Sequence, residues 1–254
     1  MNTTIPDNYI PQESCLQGKI ILITGAAGGI GSIVSRTFAG YGATVILLGR
    51  DTKGLESLYD EIEDAGYPLP ALYPMNLEGA TDKDYMDLTR TMEKEFGRLD
   101  GLLHNAARRD ALTPLWRVNI EDWFEVLQVN LNAPFMLTCA CMELLRASVS
   151  ASIIFTTDHQ AREHHAYWGA YGISKHAVDG LMKTLADELE NQPSIRVNAI
   201  DPGAVKTGMR VKTYPGLDPN IMTKPEDIMC SYLYLMDEIS RDVNAQIIYA
   251  QATI

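Results

Sequence analysis

The sequence predicts one α/β domain: a doubly wound parallel sheet of seven strands with helices on both faces. Short apolar runs alternate with segments of helical period along nearly the whole chain, the pattern of a parallel sheet with crossover helices. The first run ends in a glycine-rich turn, Gly25 to Gly31, that opens a helix. At 254 residues and 46 % apolar content, the chain can build one large core. Residues 1–17 are expected to form an N-terminal extension and residues 18–254 the domain.

Four apolar residues, Ile20 to Ile23, suit a strand buried on both faces, and Thr24-Gly25 ends it at a residue free to take unusual backbone angles. Ile30, Val34, Phe38 and Tyr41 then recur at helical spacing, so a helix opens behind the glycines with a bare N-terminus. Such an end suits a phosphate, which meets backbone N–H donors and the positive end of the helix dipole. Gly25, Ala27, Gly28, Gly29, Ile30 and Gly31 are therefore candidate dinucleotide contacts. The second strand, Ala43 to Leu48, ends at Gly49-Arg50. A carboxylate here would bind ribose hydroxyls, whereas an arginine pairs with a 2′-phosphate, so Arg50 favours NADP(H) over NAD(H).

A helix from about Thr52 to Ala65, a strand Ala71 to Met75, a helix from about Thr81 to Phe96 and a strand Leu99 to His104 continue the alternation. With right-handed crossovers, the carboxyl ends of the strands form the binding edge. Asn76 and Leu77 follow the third strand, where the Asn76 amide suits an adenine edge. Asn105, Ala106 and Ala107 follow the fourth, and the small alanines let a nucleotide lie against backbone. For Asn76 and His104 a role in a turn fits equally well. A long helix is expected from Asn119, capping with Asp122 three residues on, to about Arg146. It carries Asn130 among apolar neighbours, where a buried amide needs a partner.

The strand Ser152 to Thr156 leads into a stretch crowded with ionisable groups. His159, Glu163, His164, His165, Tyr167 and Trp168 are expected to line or rim a pocket there, with Arg162 and Glu163 equally suited to solvent. A metal site is disfavoured, because adjacent His164 and His165 cannot easily converge on one ion. Tyr171 and Lys175, four apart at the start of the next long helix, share one face of it. A phenol of pKa about 10 is a poor base near neutrality, and lowering it by about three units takes roughly 4 kcal/mol of preference for the phenolate. A nearby ammonium helps to supply that preference, and Tyr171 then exchanges a proton with a substrate oxygen while a nicotinamide cofactor exchanges hydride with the adjacent carbon. Beyond lie the strand Ile195 to Ile200, Pro202-Gly203, a stretch poor in regular pattern from Ala204 to Lys224, a helix from Pro225 to Asp237 and a last strand, Ala245 to Tyr249.

In order and spacing, Thr24 through Gly31, Asn105-Ala106-Ala107, Asn130, Tyr171 with Lys175, and Pro202-Gly203 resemble the short-chain dehydrogenase/reductase family over about Leu16 to Met236. The resemblance implies a Rossmann fold and an oxidoreductase that interconverts a carbonyl and an alcohol on a small-molecule substrate, with NADP(H) preferred and NAD(H) the alternative. It implies that Tyr171 is the proton donor or acceptor, and that Lys175 lowers its pKa and holds the nicotinamide ribose. Asn130 would anchor a proton-relay water, Thr207 would bond the nicotinamide carboxamide, and Pro202 and Gly203 would border the cofactor. Residues 204–224 would form a flap over substrate. A homodimer or homotetramer would assemble through the two long central helices.

One departure touches the chemistry. The family normally has a serine thirteen residues before the tyrosine, and Asp158 stands here. An ionised carboxylate cannot donate a hydrogen bond, and at about 4 Å it would oppose a phenolate by roughly 4 kcal/mol at an effective dielectric of 20. Either Asp158 is protonated and donates, or Thr157 or His159 supplies the donor. The competing expectation is a catalytically impaired relative that still binds nucleotide; an enoyl or imine reductase of the same fold is a third. Asn76, Ala107 and Asp201 also replace the family's usual aspartate, glycine and asparagine.

The formal charge of −12 opposes electrostatically driven binding to nucleic acid or anionic lipid. No apolar run approaches the roughly 18 residues of a membrane helix, and Met1 to Gly18 lacks the pattern of a secretory signal, so a cytoplasmic protein is expected. Cys15, Cys139, Cys141 and Cys230 lack metal-ligand spacing and are expected as buried free thiols, with Cys139 and Cys141 on different helix faces.

Overall fold

Ile21 and Ile23 pack into one core and Leu22 into another, on the opposite side of the same strand. That alternation, repeated along the sheet, gives two apolar layers that helices must cover. Burying a side chain the size of Leu22 or Phe38 is worth about 1.5–3 kcal/mol. The computed structural model describes residues 3–159, 163 and 165–251. In order these form β1 (Ile20–Thr24), α1 (Gly29–Gly40), β2 (Thr44–Gly49), α2 (Thr52–Asp64), β3 (Ala71–Pro74), α3 (Asp82–Phe96), β4 (Gly101–His104), α4 (Ile120–Leu127) and α5 (Ala133–Arg146). There follow β5 (Ala151–Thr156), α6 (Gly169–Glu188), β6 (Ile195–Asp201), α7 (Gly208–Thr213), α8 (Met229–Met236) and β7 (Ile247–Tyr249). The strands make one seven-stranded parallel sheet in the order β3-β2-β1-β4-β5-β6-β7. The order reverses direction between β1 and β4, and a crevice opens at the carboxyl ends of those strands.

The helices begin where the side chains satisfy their first N–H groups. Asp51 caps α2 through the Gly54 N–H at 3.2 Å, and Thr81 with Asp84 closes a reciprocal capping box on α3. Tyr85, Leu88 and Met92 then bury one face of α3, and Gly97 ends it in the left-handed conformation at φ 70°.

Four expectations are corrected. The long helix from Asn119 to Arg146 is two helices joined by a π-helical turn, Gln128–Asn132, and Asn119 caps α4 through the Glu121 N–H rather than through a box with Asp122. The stretch 204–224 contains α7, because the Thr207 side chain accepts from the Arg210 N–H and starts a short helix. Pro225 to Asp237 is a 3-10 turn, Pro225–Ile228, followed by α8. The last strand is also shorter than expected, since Ala245 has φ 57° and cannot continue an extended chain.

Thr3, Tyr9 and Leu16 tie the segment before β1 to the domain. Thr3 bridges to Ile248 beside β7, the Tyr9 ring meets Tyr234 edge-on at 5.1 Å, and Leu16 is fully buried. The cysteines are free, but only Cys141 is buried; Cys139 on the opposite face of α5 and Cys230 are exposed. Among the described residues, no helix is long and apolar enough to cross a membrane.

Candidate active site

The glycine turn is shaped by what surrounds it. Gly25 has φ 65°, and a Cβ there would lie 2.9 Å from Ala106 Cα. A Cβ on Gly31 would lie 2.1 Å from the Gly25 carbonyl oxygen. The Thr24 hydroxyl accepts from the N–H groups of Asn105 and Ala106, both at 3.0 Å. The Asn105 amide donates to the carbonyls of Thr24 at 3.3 Å and Gly25 at 3.4 Å. The ends of β1 and β4 are thereby locked together beneath the turn. Among the described residues no side chain caps α1, whose N-cap is Gly28, so its first N–H groups stay available at the positive end of the helix.

A cleft of ≈ 690 Å³ runs along this edge of the sheet. Of the residues expected to hold the cofactor or act in catalysis, all but Gly31 and Asn130 line it: the rest of the glycine turn, Arg50, Asn76, Leu77, Asn105, Ala106, Ala107, Asp158, Tyr171, Lys175, Pro202, Gly203 and Thr207. Gly31 instead packs against the Gly25 carbonyl behind the turn. The bare helix end, the backbone exposed at Gly28 and Gly29, and the length of the cleft fit a dinucleotide.

At one end, Arg50 is already engaged. Its Nη1 donates to Glu78 Oε1 at 2.7 Å, and Arg108 Nη1 donates to the same oxygen at 2.8 Å. Arg108 also pairs with Asp122 and Glu125. Asn76 serves the turn, its side-chain oxygen accepting from the Glu78 N–H at 3.2 Å.

At the other end, Tyr171 and Lys175 are both buried on α6, at 6 % and 3 % exposure. The Tyr171 hydroxyl donates to Asp158 Oδ2 at 3.0 Å. Burial first, and then the Asp158 carboxylate, push the phenol well above its ordinary pKa; the Arg109 guanidinium opposes them. Burial lowers the Lys175 ammonium, whose Nζ donates to the Thr156 carbonyl at 2.7 Å and lies 5.6 Å from the Tyr171 ring centroid. Asn130 sits in the π turn with its amide engaged by protein groups. Its oxygen accepts from the Arg108 N–H at 2.7 Å, and its nitrogen donates to the Arg108 carbonyl and to Ser174 Oγ, both at 2.9 Å. It therefore pins the β4 loop to α6.

The loop before α6 divides. Trp168 is buried with its ring 5.8 Å from that of Tyr171, whereas Tyr167 is exposed. His159 and His165 both face Glu163, at 3.0 and 3.4 Å, and His159 also meets Tyr249 edge-on. Against expectation, none of His159, Glu163, His165, Tyr167 and Trp168 lines the cleft, whereas Thr157 does. Arg162 and His164 lie outside the described residues. Among the described residues, no group of three or more His, Cys, Asp or Glu side chains is arranged to hold a metal. His104 is a core residue, bonded to Thr138 Oγ1 at 2.8 Å and stacked on Phe155.

Sequence reasoning missed Glu78 and Arg109. The Arg109 guanidinium carbon lies 4.2 Å from the Trp168 ring centroid and 5.1 Å from that of Tyr171. The signal was the basic pair Arg108-Arg109 directly after Asn105-Ala106-Ala107, at a strand end already marked as the binding edge.

A dinucleotide crevice at the β1/β4 reversal, with tyrosine and lysine one helical turn apart at its far end, defines a class of Rossmann-type oxidoreductase. The sequence profile described as short chain dehydrogenase matches residues 19–217, and the chain belongs to the short-chain dehydrogenase/reductase family. It is 41 % identical over 234 residues to the uncharacterized oxidoreductase YciK of Escherichia coli strain K12, covering 92 % of each chain. A solved short chain dehydrogenase from Pseudomonas syringae superposes with a TM-score of 0.94 at 49 % identity, over 96 % of this chain and 99 % of that one. A short chain dehydrogenase from Shigella flexneri 2a strain 301, complexed with NADP, superposes with a TM-score of 0.92 at 39 % identity, over 95 % and 100 % of the two chains.

Proposed function

We propose that the protein is an NADP(H)-dependent oxidoreductase that interconverts a carbonyl and an alcohol, with Tyr171 exchanging the proton. The observation that carries this reading is the convergence of Tyr171, Asp158 and Lys175 in the same cleft as the uncapped end of α1. The NADP complex of the Shigella relative supports the choice of cofactor. Bound NADP(H) supplies or accepts the hydride. The turn from Gly25 to Ile30 would hold the pyrophosphate, Arg50 the 2′-phosphate, and Lys175, Pro202, Gly203 and Thr207 the nicotinamide half.

The chain's own task is the proton. A phenol held well above its ordinary pKa stays protonated at neutral pH, the form that donates to a carbonyl oxygen as hydride arrives at carbon. Asp158 takes the hydrogen bond that a substrate oxygen would need, so substrate must share or displace that contact. The same contact supports a second reading, a relative that binds nucleotide and turns over slowly. Exposed Trp116, Ile120, Phe124 and Phe135 on and beside α4 and α5 support assembly into a homo-oligomer through that face.

Titration with NADPH and, separately, NADH, followed by tryptophan quenching, tests the reading. Tighter NADPH binding together with NADPH oxidation by a panel of ketones and aldehydes is expected. Binding without turnover would favour the second reading, and absence of binding would overturn both.

A further inference from the structure

The geometry points to Arg109 as an anion-recognition residue of the substrate site, and to a substrate that carries a carboxylate within a few bonds of its reacting carbonyl or carbinol carbon. The inference rests on the reading of Tyr171 as the group that meets that carbon's oxygen.

Cations of this cleft differ in what they hold. Arg50 and Arg108 share Glu78, and Arg108 takes Asp122 and Glu125 as well. Lys175 donates to the Thr156 carbonyl, and Arg210 stacks on Tyr214 at 4.5 Å. Arg109 is held by rings. Its guanidinium lies over Trp168 and beside Tyr171, and its Nη2 is buried with no hydrogen-bond partner among the described residues. Asp110 is near enough to feel its charge but forms no ion pair with it.

A guanidinium held beside aromatic rings keeps its planar fork of donors, which suits a carboxylate taken through two parallel bonds. Trp168 and Tyr171 also fix the side chain, so little freedom remains to be lost when a ligand arrives. A buried donor without an acceptor is unfavourable, and a ligand oxygen relieves that penalty. The chain's charge of −12 repels anions at long range, so an acidic substrate needs a local cation at the point of chemistry. Arg109 stands 5.1 Å from the centroid of the ring whose hydroxyl is to meet the substrate oxygen. Substrate carboxylate and reacting carbon must therefore be close neighbours in one small molecule.

The test uses pyruvate, acetoacetate and levulinate, each beside its methyl ester, titrated calorimetrically into the NADP-loaded protein and then assayed for NADPH oxidation. At least one acid is expected to bind about 10- to 100-fold tighter than its ester, the span of a charge-assisted bidentate contact. Arg109→Met should bring that ratio to near one, and Arg109→Lys should keep part of it, which separates loss of charge from loss of fold. Equal binding of acids and esters, binding of none of them, or an undiminished ratio in Arg109→Met would overturn the inference. Turnover of uncharged ketones with no acid preference would overturn it while leaving the oxidoreductase reading intact. Acid-selective binding that depends on Arg109, with no turnover of any probe, would support the anion site and sink the catalytic reading instead.

Discussion

The Tyr171 hydroxyl points its proton at Asp158 Oδ2, 3.0 Å away, at the position where the family resemblance implies a serine hydroxyl. The carboxylate takes the bond that a substrate oxygen requires and stabilises the phenol against ionisation. We expect Asp158→Ser to raise kcat for carbonyl reduction by about tenfold or more, and Tyr171→Phe to lower it by about 10²- to 10⁴-fold. Steady-state NADPH oxidation measures both. A well-folded Asp158→Ser protein no faster than its parent would refute this account of Asp158.

Arg50 must leave part of its bond to Glu78 to take a 2′-phosphate, and the Glu78 carboxylate would stand close to the incoming anion. Arg50→Ala is expected to weaken NADPH by about tenfold or more while changing NADH little. Glu78→Gln should tighten NADPH by about threefold, a small gain because an exposed ion pair is worth little. Paired fluorescence titrations decide it, and an unchanged NADPH-to-NADH ratio in Arg50→Ala would remove Arg50 from the cofactor site.

His104 is fully buried, and burial lowers its pKa from 6.5 to about 3. Below pH 6.5 the unfolded chain takes up a proton that the folded chain refuses, so stability is lost as pH falls from 6.5 towards 3. The slope is about 1.4 kcal/mol per pH unit, or about 2 kcal/mol between pH 6.5 and 5. Urea unfolding at the two pH values should show this loss, and His104→Gln should flatten it. An identical slope in the variant would assign the effect to other groups.

The glycine turn, the strand alternation and the Tyr171–Lys175 pair were legible because each depends on spacing within a short stretch. Gly25 and Gly31 are forced by contacts with Ala106 and with the turn itself, and glycine at such positions is visible in any sequence. Arg109 was not legible, since its meaning comes from Trp168, far along the chain on another element. The same holds for Glu78, whose significance lies in reaching Arg50 and Arg108 from the end of a different strand. The break in the long central helix was hidden for another reason. A π turn keeps helical spacing nearly intact, and Asn130 was noticed only as a polar residue in an apolar setting.

The joining of β1 to β4 carries a consequence for how the chain reaches this state. Ile21 pairs with Gly101, so the crevice does not exist until a loop spanning two intervening strands has closed. Thr24 then finds Asn105 and Ala106, and the glycine turn acquires its floor. Contacts so distant in sequence carry a loop-closure cost before they return any stability, which slows folding. The cleft beneath the glycine turn thus depends on a pairing between segments about eighty residues apart, and a fragment ending before β4 lacks its floor.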